Sequence, residues 1–257
     1  MRCLLLLSAI LCLGSFARAD EKYVTIKGTI KWNEDKAPAK AIIDVKTDAA
    51  TCCKAGPLES SKIEVDAKTL GVKNVMVWLR PVDADRTKTF PLAQIKAELQ
   101  KPKSKEHVID QPKCQFEPRI TLARLGDTLL IKNSAAIPHN VNYSSDIESF
   151  NSTLPAGAEK KLDKPLEVQR SVINVACNIH GWMEAKVRVF DHPYYALTDK
   201  DGKFEIKDIP AGKWSIVYQH EGGYHKGKAG ILGFPVNLKG DKKTMELEAV
   251  KLELPKP

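Results

Sequence analysis

The stretch that decides the fold is VINVACNIHGWMEAKVRVF, residues 172–190. Apolar and polar residues alternate on both sides of its centre, as they do in strands that bury one face. Between these two predicted strands, Cys177, His180 and Met183 fall within seven residues, and Gly181 helps so short a connection to bend. The stretch therefore predicts two neighbouring strands joined by a loop that carries three metal-binding side chains.

The side chains of this loop form a donor set that suits copper. A thiolate and two imidazoles bind both common oxidation states of copper, and a weak thioether completes the set. Zinc is expected to take a further Cys, His or carboxylate in place of the thioether. The second imidazole can come from His139, which begins an alternating strand pattern and would project inward. Cys177, His180, Met183 and His139 are thus the candidate ligands of one mononuclear copper site.

These segments resemble the cupredoxins, the blue copper proteins of the amicyanin and plastocyanin type. The resemblance lies in residues 126–141 and 175–189. It is carried by the Cys-x2-His-x2-Met loop and by the triplet Pro138-His139-Asn140. One departure is visible, because Asn174 and Ala176 stand where aromatic residues often precede the cysteine. That departure affects the expected packing and not the ligand set.

The resemblance implies a role for each matched residue. His139, Cys177 and His180 would be the equatorial ligands of a type 1 site, with Met183 as the axial ligand. Asn140 would tie its strand to the cysteine loop through hydrogen bonds, which hold the ligands in place and tune the metal.

Trp182, between two of these ligands, has two interpretations. It could be a core residue, or it could form an apolar rim around the edge of His180, through which electrons usually leave in cupredoxins. Exposed apolar patches tend to mark contacts. We therefore assign Trp182 to a docking rim around an exposed His180.

The first nineteen residues have the pattern of a secretory signal. Arg2 precedes an apolar run from Leu4 to Leu13, and Ala17-Arg18-Ala19 supplies a cleavage site. We therefore predict a signal peptide at residues 1–19 and a periplasmic or secreted location. The apolar run is too short to span a bilayer, and no later segment is long enough, so no membrane span is expected.

Four cysteines follow the predicted signal peptide: Cys52, Cys53, Cys114 and Cys177. In an oxidising compartment the first expectation for cysteines is disulfide bonds. Neighbouring Cys52 and Cys53 are poorly placed to bridge each other, so one of them is expected to pair with Cys114, and the sequence leaves open which. In the alternative to a metal site, Cys177 is itself disulfide-bonded and the nearby histidine and methionine are structural.

The charge pattern argues against one class of partner and favours another. The formal net charge is +8, and it falls to +6 once Arg2 and Arg18 leave with the signal peptide. The lysines are spread along the chain without the clusters typical of nucleic-acid binders, so no nucleic-acid partner is expected. The basic surface is either simply solvated or favours an acidic docking partner through faster encounter.

The whole sequence predicts an all-β protein in three parts. Residues 20–106 would be an N-terminal β-rich extension or domain, residues 107–190 a cupredoxin Greek-key β-sandwich, and residues 191–257 a small C-terminal β-sandwich. In the first part, residues 23–32 alternate as a half-buried strand does. Three apolar runs with strand character follow, at residues 41–45, 63–65 and 72–79. Leu92, Ile95 and Leu99 interrupt the strands at the spacing of a short helix.

The C-terminal part resembles the carboxypeptidase regulatory-like domain, a small transthyretin-like β-sandwich. The resemblance is carried by TDKDGKFEI, residues 198–206, and IPAG, residues 209–212. This pattern encodes turns and core positions, so it indicates fold more than chemistry. Asp201-Gly202 is expected to supply the positive φ angles of a tight turn. Three further histidines, His192, His220 and His225, could form a second metal site, although buried hydrogen-bonded histidines are the better explanation.

The predicted copper site leads to a functional hypothesis. Three strong donors and an axial thioether leave no open position for a substrate, which favours a one-electron carrier over an enzyme. The partner would be an acidic redox protein such as a c-type cytochrome or a periplasmic dehydrogenase. Two alternatives stay open: a non-redox binding or scaffolding module of the cell envelope, and a copper storage or delivery protein.

Overall fold

The computed structural model describes residues 23–101 and 103–255, so the signal peptide predicted at residues 1–19 lies outside the described residues. The described chain is nearly all β, as predicted. Its α-helices are α1 Ala49–Cys52 and α2 Ala97–Gln100, and its 3-10 helices are Leu92–Gln94 and Gly227–Gly230. The strands are β1 Tyr23–Trp32, β2 Met76–Pro81, β3 Glu106–Ile109, β4 Ile120–Arg124, β5 Thr128–Lys132, β6 His139–Ser144, β7 Ser149–Leu154, β8 Glu159–Lys161, β9 Ile173–Ala176, β10 Glu184–Phe190, β11 Tyr195–Leu197, β12 Lys203–Pro210, β13 Gly212–His220, β14 Gly223–Tyr224, β15 Phe234–Leu238, β16 Thr244–Glu246 and β17 Val250–Leu252. No helix in these ranges is long and apolar enough to cross a membrane.

Strands β3 to β10 form a sandwich of two sheets, which we call the central sandwich. One sheet has the strand order β3-β5-β8 and the other β4-β10-β9-β6-β7. Alternate residues of each strand point between the sheets and form one core. The core includes Ile131, Val141, Tyr143, Val175 and Val187. This is an all-β sandwich, as the sequence predicts for this part of the chain.

The remaining strands form a second sandwich, the outer sandwich, from both ends of the chain. One sheet has the order β12-β1-β16, with β17 also paired to β1. The other has the order β11-β2-β13-β14, with β15 also paired to β13. A smaller apolar cluster joins the two sandwiches, and its buried members are Met76, Trp78, Ile120, Phe190 and Val217.

This strand pairing corrects the predicted division into domains. The sequence predicts an N-terminal extension or domain at residues 20–106 and a C-terminal sandwich at residues 191–257. In the structure, strands from these two parts pair with each other. β1 pairs antiparallel with β12, and β2 pairs antiparallel with β13. The central sandwich is therefore inserted between the two halves of the outer sandwich.

Residues 41–58, the cap segment, leave the outer sandwich and lie against the central one. The segment contains α1, and its apolar side chains pack on the central core. A disulfide between Cys52 and Cys114 ties it down, which confirms the predicted bond and decides between the two neighbouring cysteines. Cys53 stays a free, partly buried thiol.

Two local predictions in the N-terminal part differ from the structure. Of the three later apolar runs, residues 72–79 overlap a full strand, β2, whereas residues 41–45 and 63–65 make single β-bridges. The helix predicted from Leu92 to Leu99 is divided, because Ile95 and Lys96 have extended backbone between a 3-10 turn and α2.

The Asp201-Gly202 turn offers a test of the outer sandwich. Of the pair Asp201-Gly202, only Gly202 has the predicted positive φ, +74°, and a Cβ there would lie 2.2 Å from the carbonyl oxygen of Ile30. The left-handed backbone alone disfavours a side chain by about 1–2 kcal/mol. We expect Gly202→Ala to lower the free energy of unfolding by more than about 2 kcal/mol, measured by urea denaturation. Gly157→Ala is the matched control, because Gly157 has φ +77° with nothing within 4 Å of its Cβ position. Equal losses in both variants would show that the contact with Ile30 has no consequence.

Candidate metal centre

Two neighbouring strands of the central sandwich bring the candidate ligands together. His139 is the first residue of β6, and Cys177 directly follows β9. The two strands pair antiparallel, with Asn142 opposite Ala176. The start of β6 therefore lies beside the loop that carries the other three candidate ligands.

The loop between β9 and β10 is held by two backbone hydrogen bonds. The N–H of Cys177 donates to the carbonyl of Met183 at 3.1 Å, and the N–H of Met183 donates to the carbonyl of His180 at 2.8 Å. The exposed fractions are 2% for Cys177, 1% for Met183 and 0% for both His139 and His180. The loop thus buries three potential donors on a fixed backbone, next to the fourth.

Contacts link three of these residues in a chain, from His139 to His180 and from His180 to Cys177. Sγ of Cys177 lies 4.0 Å from Nδ1 of His180. The rings of His139 and His180 are nearly perpendicular, with centroids 5.1 Å apart. Cys177 is a free thiol. Both ring nitrogens of His139 are buried and lack a hydrogen-bond partner among the described residues. The structure thus gathers the predicted ligands in one buried place, with Met183 in the adjoining core.

Burial sets the protonation of His139. Loss of hydration, together with the neighbouring His180, lowers the pKa of His139 from 6.5 to about 4. Its imidazole is therefore neutral at pH 7 and has a lone pair for a cation.

Two backbone N–H groups point at the sulfur of Cys177. They belong to Asn140 and His180, each 3.4 Å from Sγ. Such donors stabilise a thiolate, the form of cysteine that binds metals. The side-chain oxygen of Asn140 also accepts a hydrogen bond from the N–H of Asn178 at 3.1 Å. Asn140 therefore joins β6 to the cysteine loop, in the place that the sequence predicts for it.

Asp48 of the cap segment covers His180, and no motif in the sequence marks it. Its Oδ2 accepts a hydrogen bond from Nε2 of His180 at 2.9 Å. Asp48 has a left-handed backbone, φ 56°, at the start of α1, which the Cys52–Cys114 disulfide holds in place. Because Nε2 is engaged by this carboxylate, Nδ1 is the nitrogen of His180 that faces Cys177. Only the packing of the cap segment reveals this contact.

The cover over His180 corrects one expectation. The sequence predicts an exposed His180 edge ringed by Trp182, but His180 has no exposed surface. Trp182 is partly buried, its ring lies 4.9 Å from that of His180, and its indole N–H donates to the carbonyl of Cys114 at 2.9 Å. Trp182 thus packs against His180 and bonds to Cys114, the disulfide partner of the cap segment, and its role in docking stays a prediction.

The three other histidines considered for a second metal site are buried and hydrogen-bonded. Each accepts a backbone N–H at Nδ1: His192 from Tyr194, His220 from Gly222 and His225 from Glu253. Across residues 23–101 and 103–255, no group of three or more His, Cys, Asp or Glu side chains forms a ready-made cation site. Metal binding at Cys177 therefore stays a prediction from the donors described above.

The chain matches no protein-family model and no curated protein. Among solved structures it is similar to a purple cupredoxin from Nitrosopumilus maritimus, with 22% identity and a TM-score of 0.27 over 32% of this chain and 97% of that one. It is also similar to a mutant of amicyanin with Cu(I), at 19% identity and a TM-score of 0.29 over 44% of this chain and 97% of that one. A reduced amicyanin mutant gives 20% identity and the same TM-score and coverage. At these values the likeness carries no argument about function, which depends on the side chains described above.

Proposed function

We propose that the protein holds one copper ion at His139, Cys177, His180 and Met183 and serves as an exported one-electron carrier. One observation carries the proposal. A fully buried imidazole, His139, has both nitrogens without a partner among the described residues, and its ring packs against that of His180, whose Nδ1 lies 4.0 Å from the free, buried thiol of Cys177.

An unpaired buried polar group is costly, by about 1–3 kcal/mol, and native proteins rarely keep one without a reason. A cation between His139 and Cys177 would satisfy the lone pair of the imidazole and the charge of the thiolate together. The neighbouring imidazole, His180, already turns Nδ1 toward the same space. The orphaned nitrogens thus favour a metal over a purely structural cluster.

The kinds of donor select the metal. Two imidazoles, one thiolate and a thioether suit copper, whereas zinc favours a fourth Cys, His or carboxylate. When bound, copper supplies a centre that gains and loses one electron. The protein supplies fixed donors, because the backbone N–H groups of Asn140 and His180 hold the sulfur of Cys177.

Burial favours electron transfer over catalysis. All four proposed ligands are at most 2% exposed, so a substrate has no path to them without movement of the cap segment. Catalytic metal sites keep one coordination position open for a substrate. The four donors proposed here would leave no such position. An electron needs no such opening.

The location and the partner belong to the same proposal. The Cys52–Cys114 disulfide fits an oxidising compartment such as the periplasm or the extracellular space. The excess of Lys and Arg over Asp and Glu favours an acidic redox partner, such as a c-type cytochrome or a periplasmic dehydrogenase. Exchange with such a partner should slow as salt is added.

The test is a titration of the purified exported protein with Cu(II), followed by metal analysis, optical spectroscopy and voltammetry. We expect one copper per chain, an intense thiolate-to-copper absorption in the visible region and a reversible one-electron couple. Copper that exchanges rapidly with a chelator would indicate storage or delivery instead. Absence of stoichiometric copper would remove the proposal and leave a binding or scaffolding role.

The hydrogen bond from His180 to Asp48 gives a prediction within this proposal. Carboxylate partners orient a ligand histidine, and their loss typically lowers metal affinity about 10–100-fold. We expect that decrease in Asp48→Ala, with a higher reduction potential because a nearby carboxylate favours Cu(II). Asp48→Asn should keep more of the affinity, since its amide oxygen can still accept the bond.

Asp44→Ala is the matched control for Asp48→Ala, because Asp44 is an exposed carboxylate of the same cap segment and makes no contact with His180. An unchanged potential in Asp48→Ala, or an equal change in Asp44→Ala, would contradict a specific role for the hydrogen bond.

A further inference from the structure

A cleft of about 260 Å³ lies where the two sandwiches meet, away from the metal centre. The outer sandwich contributes Trp78 and Arg80 of β2 and the following loop at residues 86–89. The central sandwich contributes the loop at residues 168–170 and the end of β10, with Arg188. We call it the junction cleft. Clefts between domains are common places for ligands.

The lining of the junction cleft is strongly cationic. Its basic side chains are Arg80, Arg86, Lys88, Arg170 and Arg188, and its one carboxylate is Asp191. In the described part of the chain, none of these five basic groups forms an ion pair with a carboxylate, whereas Lys73 and Lys96 elsewhere do. Burial also raises the pKa of Asp191, which disfavours the charged form of this carboxyl group. The lining of the cleft thus carries five basic groups and one carboxylate, with Asp83 and Asp85 nearby, and its net charge is positive.

Arg188 is a partly buried member of this cationic set. Its guanidinium carbon lies 4.4 Å from the centre of the Trp78 ring and 5.7 Å from that of Phe190. One of its nitrogens donates to Oε1 of Gln219 at 3.1 Å. A neutral amide, the side chain of Tyr224 and two aromatic faces therefore hold the group in place, and no carboxylate among the described residues pairs with it. A partly buried cation without a counter-ion is unfavourable, and a bound anion would offset that penalty.

Arg80 is buried and fixes one wall of the cleft. Its guanidinium donates to the carbonyls of Asp83 and Asp85 at 2.8 and 2.7 Å, and to that of Leu232 at 3.1 Å. These bonds anchor the chain just before Arg86. The cleft is therefore a built feature in which one arginine shapes the loop that presents the exposed basic groups.

From these observations we infer that the junction cleft binds a small organic anion with two or more carboxylate or phosphate groups. The flat fork of a guanidinium matches these groups with paired hydrogen bonds. The volume lies below the roughly 300–1,000 Å³ of sites for drug-sized ligands, which limits the ligand to a small one. Because both sandwiches line the cleft, such an anion would bridge them. The inference does not depend on the metal centre.

The test is isothermal titration calorimetry of the full exported protein at fixed ionic strength, with 3-phosphoglycerate and succinate as probes and acetate as the single-charge comparison. We expect saturable one-to-one binding of 3-phosphoglycerate and much weaker binding of acetate. The variant Arg86→Gln/Lys88→Gln/Arg170→Gln removes three exposed charges and should weaken binding at least about tenfold, because charge-assisted hydrogen bonds to the anion would be lost.

The matched control is Lys31→Gln/Lys213→Gln/Lys251→Gln, which removes the same charge from exposed positions outside the cleft. It should bind within about twofold of the original protein, given the screening of distant surface charges. Arg188→Lys keeps the charge but loses the planar fork, and should also bind about tenfold more weakly. Absence of saturable binding, an equal loss in the control, or acetate binding as tightly as 3-phosphoglycerate would overturn the inference.

Discussion

Replacing Cys177 with serine is expected to abolish the visible absorption of the copper-loaded protein and to lower copper affinity by more than about 100-fold. Loss of a group that only orients a ligand typically lowers affinity about 10–100-fold, and Cys177 would be the strongest ligand itself. A hydroxyl cannot replace the thiolate, because it stays protonated at neutral pH and binds copper poorly. The measurements are an optical spectrum and a competition titration against a chelator of known affinity.

The chain provides a matched control for this experiment. Cys53 is its other free thiol among the described residues, and it lies outside the cluster of proposed ligands. Cys53→Ser should keep both the colour and the affinity. If Cys177→Ser stayed coloured, or if Cys53→Ser lost its colour, the metal would be bound somewhere other than the proposed centre.

The second large effect is expected from removal of the disulfide. The bond closes a loop across 62 positions of the chain, between Cys52 and Cys114. By the loop-entropy relation, a bridge of that span stabilises the folded state by about 4 kcal/mol. We expect Cys52→Ser/Cys114→Ser to lose a free energy of unfolding of that order, measured by urea denaturation.

The same variant should also uncover the centre, because α1 carries Asp48 and is held by this bond. In the metal-free protein, a thiol reagent should label Cys177 much faster once the bond is gone. The comparison is best made in a Cys53→Ser background, so that only one thiol reacts. A stable variant whose Cys177 stayed protected would show that packing alone keeps the cap segment in place.

Much of the central sandwich could be predicted from neighbouring residues. Strand alternation around the loop at Cys177 places the two flanking strands, and the loop spacing places three proposed ligands on their connection. The alternation that begins at His139 correctly turns its side chain inward. These features depend on the period of two in a strand, so a few adjacent residues are enough to reveal them.

The outer sandwich could be predicted only in part. The alternation of residues 23–32 identifies β1, but it does not say that β1 pairs with β12 at the other end of the chain. A half-buried strand fits any sheet edge of the right register, so local pattern cannot choose its partner. The choice depends on the packing of the whole chain.

The sequence by itself determined the all-β class, the identity and order of the four proposed ligands, and Cys114 as a disulfide partner. The tertiary structure alone decided that Cys52 rather than Cys53 makes the bond, that Asp48 covers His180, and that the basic groups of the junction cleft converge. The physical reason is the range of the interactions. Strand period and loop spacing are local, whereas burial, a covering carboxylate and a shared cleft depend on segments that meet only when the chain is folded.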